Sequence, residues 1–515
     1  MNRKILNIKK ILYIPLVTTP IIYTSSCLSD NVYANTDISS IKDVFSEELI
    51  SRISNTVESN PILKENIQNQ KIILLTTAGK VNDNSFNQMT WEAISEFSRN
   101  VGINNSSYKE TKSLDSTEIH RSYTNALEKE YNVWILTGFQ HQTYFKSWLD
   151  RGINRNKFIQ NKIKIISIDW DANHFVPEGQ GLALNFRTQE SSFLVGYVVS
   201  KFLANKYPGE ENKNKRIVNC SAGADTSGST NFNYGFLEGI RAWNDEQSSN
   251  DTKISSNVYE DWNGGKKVFL STTYEANNVS TRNDFKLSIT GKGNQIFKGD
   301  GPTVVMPVAG DWSRTAANII KEEESLNEKW VVGVDSNMAI SYGKTYENCF
   351  ITSSEKRIGI ATYKALCFLT GISTELNDSK INLNEQSLNW EMKDDLIFNR
   401  VNNEPSNWSV VGGIDSEFVS ASPSTLSNKE QAEEFDTWIK EARIIFFGDG
   451  INEGSLAKNK DQAKLNEYYE AQKNPGVNNL TYNQALFNLA NVLYGDMTFN
   501  NQEYFDMIVE YINKW

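Results

Sequence analysis

The stretch of residues 71–97 constrains the fold of this 515-residue chain more than any other. It opens with four apolar residues, 72–75, whose lack of polar alternation is typical of a strand covered on both faces in a parallel sheet. A loop rich in Gly and Asn follows, and then a helical pattern that starts at Phe86, with Ser85 as the predicted N-cap. The loop therefore lies at the carboxyl end of a strand, the edge at which open α/β sheets bind their ligands.

The alternation of strands and helices continues along the chain. Buried strands are predicted at 132–136 and 163–168, with helical patterns before and after them. A second series begins with a strand at 216–220 and a helix at 232–243, and further strands follow. Because strands that alternate with helices form right-handed βαβ units, we predict an α/β chain with two parallel sheets.

Short motifs within this framework resemble those of a known family. Residues 83–92 match the pattern D-x-S-F-N-Q-x-x-W-E of the basic membrane protein (BMP, PnrA-like) family, the purine-nucleoside receptors of ABC importers. Four further motifs of the family follow in order: S-F-L-V-G at 192–196, G-F-x-x-G at 235–239, V-A-G at 308–310 and V-G-V-D at 332–335. The resemblance runs from about residue 71 to about residue 448.

The resemblance implies a two-lobed type I periplasmic-binding-protein fold, in which hinge crossings join two Rossmann-like parallel sheets. It places residues 71–184 and 352–407 in the first lobe and residues 185–351 and 408–448 in the second. The stretch 244–300 is longer and more polar than the family needs, so we expect an insertion there. Residues 449–515 match no motif, and their apolar spacing predicts a helical C-terminal extension.

The N-terminus has the form of an export signal. Basic residues precede an apolar run at 11–22, which is shorter than the ~20 residues needed to cross a bilayer. Residues 24–27 resemble a lipobox, so 1–27 is predicted to be a lipoprotein signal peptide. A diacylated Cys27 would hold the protein on the outer face of the cell membrane. Ordinary cleavage and an uncleaved anchor remain alternatives. Residues 28–70, polar apart from one weakly amphipathic patch at residues 41–53, are predicted to be a tether or a short helical stalk.

A purine nucleoside needs aromatic rings for the faces of its base and polar groups for its ribose; stacking contributes about 1–3 kcal/mol per base. The resemblance implies that Phe86 and Phe232, one in each lobe, provide the rings. It gives Asp335 as the acceptor for ribose hydroxyls and Lys356 as a donor to a ribose oxygen. The alternative is structural: the rings could face the core, Asp335 could be a strand-end turn residue, and Lys356 could be solvated.

Other candidates for ligand binding come from the same motifs and their surroundings. Gly310 would let the backbone approach the ligand closely. Asn87 could contact a base edge or cap the helix, and Asp83 belongs to the same motif. Thr77 stands where the family commonly has an acidic residue, so one polar contact is lost or replaced. Trp170 lies at the predicted cleft edge, where a rim or core position is the alternative to ligand contact.

The composition excludes several classes of function. With a net charge of -11 and a pI near 5.1, the chain lacks the basic surface that nucleic acids require. It contains no G-x-S-x-G, P-loop or paired Cys/His arrangement, and Asp169 with Asp171 is a weak candidate for a metal or acid/base pair. We therefore predict no enzyme activity, no metal and no cofactor. The cysteines after Cys27 are predicted to be buried thiols, and the three histidines surface or loop residues.

These features predict a membrane-anchored extracellular solute-binding lipoprotein, a monomer that binds a purine nucleoside between its lobes and delivers it to an ABC permease. A receptor of the same fold for a sugar or another small metabolite is one alternative, suggested by Thr77, Asp311 and Trp312. A surface adhesin or immune-interaction lipoprotein that kept the fold is another, suggested by the insertion and the extension. An enzyme acting on nucleosides is a third, for which the sequence offers no clear general base.

Overall fold

The structure, a computed structural model, describes most of the chain between Val44 and Phe447. The described ranges are 44–77, 79–83, 85–112, 114–222, 227–256, 302–308, 312–322, 326–414 and 416–447. Some predictions therefore lie outside the described residues: the signal peptide with Cys27, Gly310, Asp311, the extension at 449–515 and most of the insertion at 244–300.

Strands and helices alternate through most of the described chain. The strands are β1 Ile72–Leu75, β2 Ser106–Lys109, β3 Val133–Thr137, β4 Lys164–Ile168, β5 Gly181–Phe186, β6 Ile217–Ala222, β7 Ser255–Ser256, β8 Val304–Val308, β9 Trp330–Asp335, β10 Phe350–Lys356, β11 Trp390–Lys393, β12 Leu396–Asn399, β13 Glu404–Pro405, β14 Trp408–Gly412 and β15 Val419–Ala421. The α-helices are α1 Glu47–Ser59, α2 Pro61–Gln68, α3 Phe86–Val101, α4 Ser116–Glu128, α5 His141–Leu149, α6 Asn154–Gln160, α7 Thr188–Lys206, α8 Ser227–Glu246, α9 Trp312–Glu322, α10 Met338–Ser341, α11 Ile358–Leu369, α12 Ile372–Leu376 and α13 Lys429–Phe447.

Six parallel strands form the sheet of the first lobe, in the order β14-β5-β4-β3-β1-β2. Every residue of β1, β3 and β4 is buried, in agreement with the apolar runs that predicted these strands. Because parallel strands point the same way, the loops that follow β1, β3 and β4 meet at one edge of the sheet.

The sheet of the second lobe repeats this arrangement. Its order is β15-β10-β9-β8-β6-β7, with β15 antiparallel to β10 and the other pairs parallel. Position by position, β6 is equivalent to β1, β9 to β4 and β10 to β5. The predicted two-lobed α/β fold is therefore confirmed, and the carboxyl ends of β1 and β6 occupy matching positions in the two sheets.

The chain passes between the lobes three times. After β5 it enters α7, which packs on α8 in the second lobe. β10 stays paired with β9 as far as Glu355, and α11 then packs on α3 in the first lobe. The third crossing runs from Gly412 of β14 to Val419 of β15. The predicted boundaries at 351/352 and 407/408 are therefore a few residues early, because β10 and β14 complete their pairing before the chain leaves each sheet.

A buried ion pair joins the first and third crossings. Arg187, which follows β5, pairs with Glu190 of α7 at an Nε–Oε1 distance of 2.6 Å. The same guanidinium donates to the carbonyl oxygen of Val411 at 2.9 Å, and Glu190 accepts from the amide of Ile414 at 3.0 Å. Both charged side chains are at most 5% exposed, so the crossings form a packed unit.

Two helices precede the first sheet, at positions where the sequence predicts a polar tether. α1 buries Leu49, Ile53 and Val57, about one residue per turn, against α3 and α12. Ser46 caps this helix by accepting from the amide of Leu49 at 3.2 Å. The tether prediction is therefore wrong for residues 44–70, which are mostly helical, as in the stalk alternative, but docked on the first lobe. A narrow apolar stripe is enough to dock a helix whose average composition is polar.

Two of the three histidines lie inside the first lobe, which corrects the prediction of surface or loop positions. His141 is fully buried, with Nε2 2.9 Å from the carbonyl oxygen of Leu75 and Nδ1 2.6 Å from the hydroxyl of Tyr123. Burial lowers the pKa of His141 to about 3, so the ring is neutral. Nε2–H then donates to Leu75, and Nδ1 accepts from Tyr123. His120 is also buried, whereas His174 is exposed.

A small antiparallel sheet, β11-β12-β13, lies outside the two main sheets. It packs on the first lobe, where Trp390 stacks on Trp408 with ring centroids 5.1 Å apart. The amide of Ile397 donates to Gly179, just before β5, so this sheet lies at the amino end of the strands. Within it, the Nζ of Lys393 is 5.0 Å from the centroid of the Phe398 ring. This Lys–Phe pair is therefore remote from the ligand edge.

The three cysteines within the described ranges, Cys220, Cys349 and Cys367, are buried free thiols, as predicted. No helix in the described part of the chain combines the length and the apolar composition needed to span a bilayer.

Candidate functional site

Asp83 organises the loop after β1. Its carboxylate accepts hydrogen bonds from the backbone amides of Ser85 (2.9 Å), Asn87 (3.0 Å) and Gln88 (3.2 Å). Two of these amides belong to the first turn of α3, where unpaired N–H groups and the helix dipole favour a carboxylate. Burial raises the pKa of Asp83 above its ordinary value despite these bonds. Ser85 stands at the N-cap position without a side-chain capping bond, so its predicted role is wrong and belongs to Asp83.

Asn87 and Thr77 make polar contacts within the first lobe. The side-chain amide of Asn87 donates to Asp83 at 2.9 Å. A Cβ on Gly79 would lie 2.4 Å from the same nitrogen, so the loop closes tightly around this amide. Asn87 therefore supports Asp83, the residue that caps the helix, and its contact with a base edge stays a prediction. The hydroxyl of Thr77 lies 3.4 Å from Oε1 of Gln140, which follows β3.

Phe86 and Phe232 follow equivalent strands of the two lobes. Phe86 is the first residue of α3, after β1, and Phe232 lies in α8, after β6. α8 begins at Ser227, so Phe232 is in its second turn and not in the first, where the sequence places it. The two ring centroids lie 5.6 Å and 5.4 Å from one atom, the Nζ of Lys356. The structure therefore brings these three predicted site residues together between the lobes.

Two carboxylates hold the Lys356 ammonium. Its Nζ lies 2.5 Å from Oδ2 of Asp169 and 3.7 Å from Oδ1 of Asp335. Asp169 follows β4 and Asp335 ends β9, the equivalent strand of the other lobe. Both have a left-handed backbone, with φ of 65° and 67°, a conformation that Asp adopts more readily than most residues. Equivalent turns at equivalent strand ends therefore place the two carboxylates on either side of the ammonium.

The three charged side chains are largely removed from water. Lys356, Asp169 and Asp335 are 3%, 10% and 19% exposed. Burial by itself lowers the pKa of Lys356, but the charges of Asp169 and Asp335 outweigh it and leave the pKa above its ordinary value. Burial raises the pKa of Asp335 more than Lys356 lowers it. The ammonium therefore stays protonated at neutral pH, beside two aromatic rings.

Asp169 is a residue of the candidate site that the sequence analysis missed, because it was considered only as a weak candidate for a metal or acid/base pair with Asp171. The structure separates the two: Asp171 accepts from the hydroxyl of Ser409 at 2.5 Å within the first lobe, whereas Asp169 reaches Lys356. A signal was present, because Asp169, like Asp335, stands at the end of a buried parallel strand. Among the described residues, no group of three or more His, Cys, Asp or Glu is placed to hold a metal ion.

Trp170 lies in the core of the first lobe. It is 4% exposed, its indole N–H donates to the carbonyl oxygen of Leu136 at 3.2 Å, and its ring stacks on His141. This position matches the core alternative and not ligand contact. Trp312, a departure from the family pattern, is also buried. Of the predicted ligand residues, Phe86, Phe232, Asp335 and Lys356 come together, while Asn87, Asp83, Thr77 and Trp170 are held by contacts within the first lobe.

Two parallel α/β sheets joined by three crossings, with these side chains meeting between them, define a two-lobed binding protein of the type I periplasmic class. The sequence profile of the Bmp family, described as ABC transporter substrate-binding protein PnrA-like, matches residues 70–268. The matched residues make up less than half of the chain, and the match agrees with the resemblance drawn from the motifs. No curated protein matches the chain.

Solved structures with similar coordinates include three bacterial or archaeal proteins. A solute-binding protein of an ABC transporter system from Aeropyrum pernix K1 is 15% identical, with a TM-score of 0.48, and the match covers 81% of this chain and 99% of that one. The arabinose-binding protein AraP from Geobacillus stearothermophilus is 10% identical, with a TM-score of 0.44 and coverages of 71% and 99%. A transcriptional activator of the comK gene from Bacillus halodurans is 12% identical, with a TM-score of 0.43 and coverages of 73% and 98%.

The profile match indicates a role only for the part of the chain that it covers. Over residues 70–268 the chain is similar to PnrA-like substrate-binding proteins of ABC transporters.

Proposed function

We propose that this protein is the substrate-binding receptor of an ABC importer, which binds a purine nucleoside in the cleft and passes it to a membrane permease. The observation that carries the proposal is the convergence of Phe86 and Phe232 on the ammonium of Lys356. Rings contributed by opposite lobes can take the two faces of a flat base when the lobes close. Stacking of this kind contributes about 1–3 kcal/mol per base, enough to dominate the affinity for a ligand of this size.

The charged groups beside the rings suit the sugar of a nucleoside. The Lys356 ammonium has three N–H donors, and its shortest contact, to Asp169, uses one of them. Asp335 lies further from the ammonium, at 3.7 Å, and a carboxylate can accept hydrogen bonds from two neighbouring hydroxyls. Aromatic faces next to a paired acceptor and donor match the two chemical halves of a ribonucleoside.

Isothermal titration calorimetry with inosine, guanosine and adenosine tests the proposal. We expect saturable binding of at least one of them, and Phe86→Ala and Phe232→Ala should each weaken it by about 5- to 150-fold, the equivalent of about 1–3 kcal/mol. Phe398→Ala is the matched control, because it removes a Lys–Phe pair from the small sheet and should leave the affinity unchanged. No heat with any nucleoside, or an unaltered affinity for Phe86→Ala, would contradict the proposal.

The role of Asp335 is tested by comparing ribonucleosides with their 2′-deoxy forms. Asp335→Asn preserves the left-handed backbone, which Asn also tolerates, and removes the charged acceptor. We expect the variant to lose about tenfold in affinity for the ribonucleoside and less for the 2′-deoxynucleoside, because the latter offers one hydroxyl fewer. An unchanged ratio between the two ligands would remove Asp335 from sugar recognition.

A sugar or another small metabolite is the second candidate ligand. It is favoured by Thr77, which stands where the family commonly has an acidic residue and contacts Gln140. Mass spectrometry of small molecules retained by natively purified protein distinguishes the two, since a nucleoside and a sugar differ in mass and ultraviolet absorption. A cleft that retains and binds no small molecule would favour the adhesin or immune-interaction alternative.

We also propose that Cys27 is lipidated and that the mature protein works as a monomer on the outer face of the membrane. The signal-like residues 1–27 support the anchor. Mass spectrometry of the N-terminal peptide from membrane fractions should show a diacylated Cys27, and Cys27→Ala should release the protein from membranes. Sedimentation at micromolar concentration should give the mass of one chain.

A further inference from the structure

The ion pair between Lys356 and Asp169 joins the two lobes. Lys356 is the last residue of β10 in the second sheet, and Asp169 follows β4 in the first. Their Nζ–Oδ2 distance is 2.5 Å, and neither side chain is more than 10% exposed. Asp335, the other carboxylate near the ammonium, belongs to the same lobe as Lys356. Asp169 therefore supplies the carboxylate that reaches this ammonium across the cleft.

We propose that Asp169 and Lys356 form an interlobe latch, which keeps the lobes closed in the absence of ligand and positions the ammonium beside Phe86 and Phe232. Asp169 is then a positioning residue, because it acts through Lys356. This inference rests on the proposed function, because the role of the latch is to position the side chains that would bind the nucleoside. The latch itself requires no nucleoside, so it can be measured in the empty protein.

The physical basis is the cost of leaving a charge without its partner in a closed cleft. When the lobes are closed, the ammonium has both carboxylates; when they open, it keeps Asp335 and exchanges Asp169 for water. Removing Asp169 therefore raises the free energy of the closed state and changes the open state little. Removing Lys356 has a larger effect, because Asp169 and Asp335 then face each other as like charges.

The position of the latch determines what it controls. β4 neighbours β5, whose end starts the first crossing, so Asp169 lies about one strand spacing, roughly 5 Å, from the hinge. A contact this close to the crossings sets the resting angle of the hinge and does not bridge the outer rims of the cleft. Ligand enters when the contact between Asp169 and Lys356 opens, and the lobes then close on it with the rings and the ammonium in the same arrangement.

Lobe closure can be measured with nitroxide labels on Thr143→Cys, in α5 of the first lobe, and Lys344→Cys, just after α10 of the second. Both positions are exposed, whereas the three native cysteines of the described chain are buried. The label distances are compared, without ligand, between this background and the same background carrying Asp169→Asn or Lys356→Met. Asp171→Asn is the matched control, because that carboxylate follows the same strand but bonds Ser409 within the first lobe.

In the ligand-free parent we expect mainly the short distance of the closed lobes. Asp169→Asn should lower the closed-to-open ratio at least about tenfold, and Lys356→Met should lower it further. The double variant, with Asp169→Asn and Lys356→Met together, should regain part of the closure that Lys356→Met alone loses, because only one of the two facing carboxylates remains. Asp171→Asn should match the parent, and circular dichroism confirms that each variant is folded.

Identical distance distributions for the parent, Asp169→Asn and Lys356→Met would overturn the latch. Opening of the lobes by Asp171→Asn to the same extent as by Asp169→Asn would overturn it as well. Titration of the same samples with inosine keeps the two proposals apart. Variants that open while the parent binds no nucleoside support the latch and refute the proposed function. Nucleoside binding by the parent, without any opening of the lobes in the variants, supports the proposed function and refutes the latch.

Discussion

Glu238 is a carboxylic acid that α8 buries completely in the second lobe. Burial raises its pKa from 4.5 to about 8; Arg241 lowers the pKa and Asp245 raises it by smaller amounts. Between pH 4.5 and about pH 8, the native state keeps a proton on Glu238 that the unfolded chain has lost. Because the native state then binds more protons, its stability is fully present below pH 4.5 and is lost progressively as the pH rises through about 8.

The size of this effect follows from the shift. One pKa unit corresponds to about 1.4 kcal/mol, so a displacement from 4.5 to about 8 makes the loss of unfolding free energy about 5 kcal/mol at most. Glu238→Gln has nearly the shape of the protonated acid and does not titrate. We therefore expect the variant to be more stable than the parent at about pH 9 and to lose several kcal/mol less between about pH 5 and about pH 9.

Urea denaturation followed by tryptophan fluorescence, repeated across this pH range, measures the effect. Other carboxylates with raised pKa values, such as Asp83 and Asp335, titrate in both proteins, so the difference between parent and variant isolates Glu238. Glu434→Gln, at an exposed position of α13, is the control and should follow the parent. Parallel stability curves for the parent and Glu238→Gln would refute the reasoning.

Two further predictions concern packing. Ile53→Ala, on the buried face of α1, should lower the unfolding free energy by about 2–5 kcal/mol, whereas Ile62→Ala, at a position 74% exposed, should change it by less than about 0.5 kcal/mol. Equal values in urea denaturation would mean that α1 is not part of the folded unit. Gly239→Ala places a Cβ 2.1 Å from the carbonyl oxygen of Phe193, where α7 and α8 pack closely, and should cost about 1–3 kcal/mol or more. An unchanged Tm by calorimetry would show that these helices can separate without penalty.

The two lobes were predictable because their central strands are apolar throughout. β1, β3 and β4 are buried at every residue, and a strand buried on both faces leaves a run that composition alone can reveal. The crossings were placed less accurately. A strand that ends at a hinge carries the same apolar pattern on either side of a proposed boundary, and only its pairing partner shows which sheet it completes.

The N-terminal helices could not be predicted from average polarity. α1 exposes most of its side chains and docks through Leu49, Ile53 and Val57. Such a stripe gains its stability from the surface it meets, here α3 and α12, and α12 lies some 300 residues further along the chain. Isolated short helices are marginal in water, so the local sequence gives only a weak amphipathic signal.

Part of the candidate site could also be predicted from the sequence, and part could not. Phe86 and Asp335 stand in ordered motifs, Phe232 and Lys356 were assigned through the same resemblance, and the structure brings the four residues together. Asp169 was missed because its partner is 187 residues away and in the other lobe. The capping role went to Ser85 in place of Asp83 because the N-cap rule considers the residue next to the helix, whereas a longer carboxylate can reach the same amides from two residues earlier.

The docked helices α1 and α2 determine which half of the molecule a membrane anchor would restrain. Phe45 packs on Tyr363 with ring centroids 4.9 Å apart, so the first described residues are fixed to the first lobe. With a lipid on Cys27, residues 28–43 allow a reach of at most about 55 Å when fully extended. The first lobe would then be held near the bilayer. Each opening of the cleft would move the second lobe, with Phe232 and Lys356, relative to the anchored first lobe.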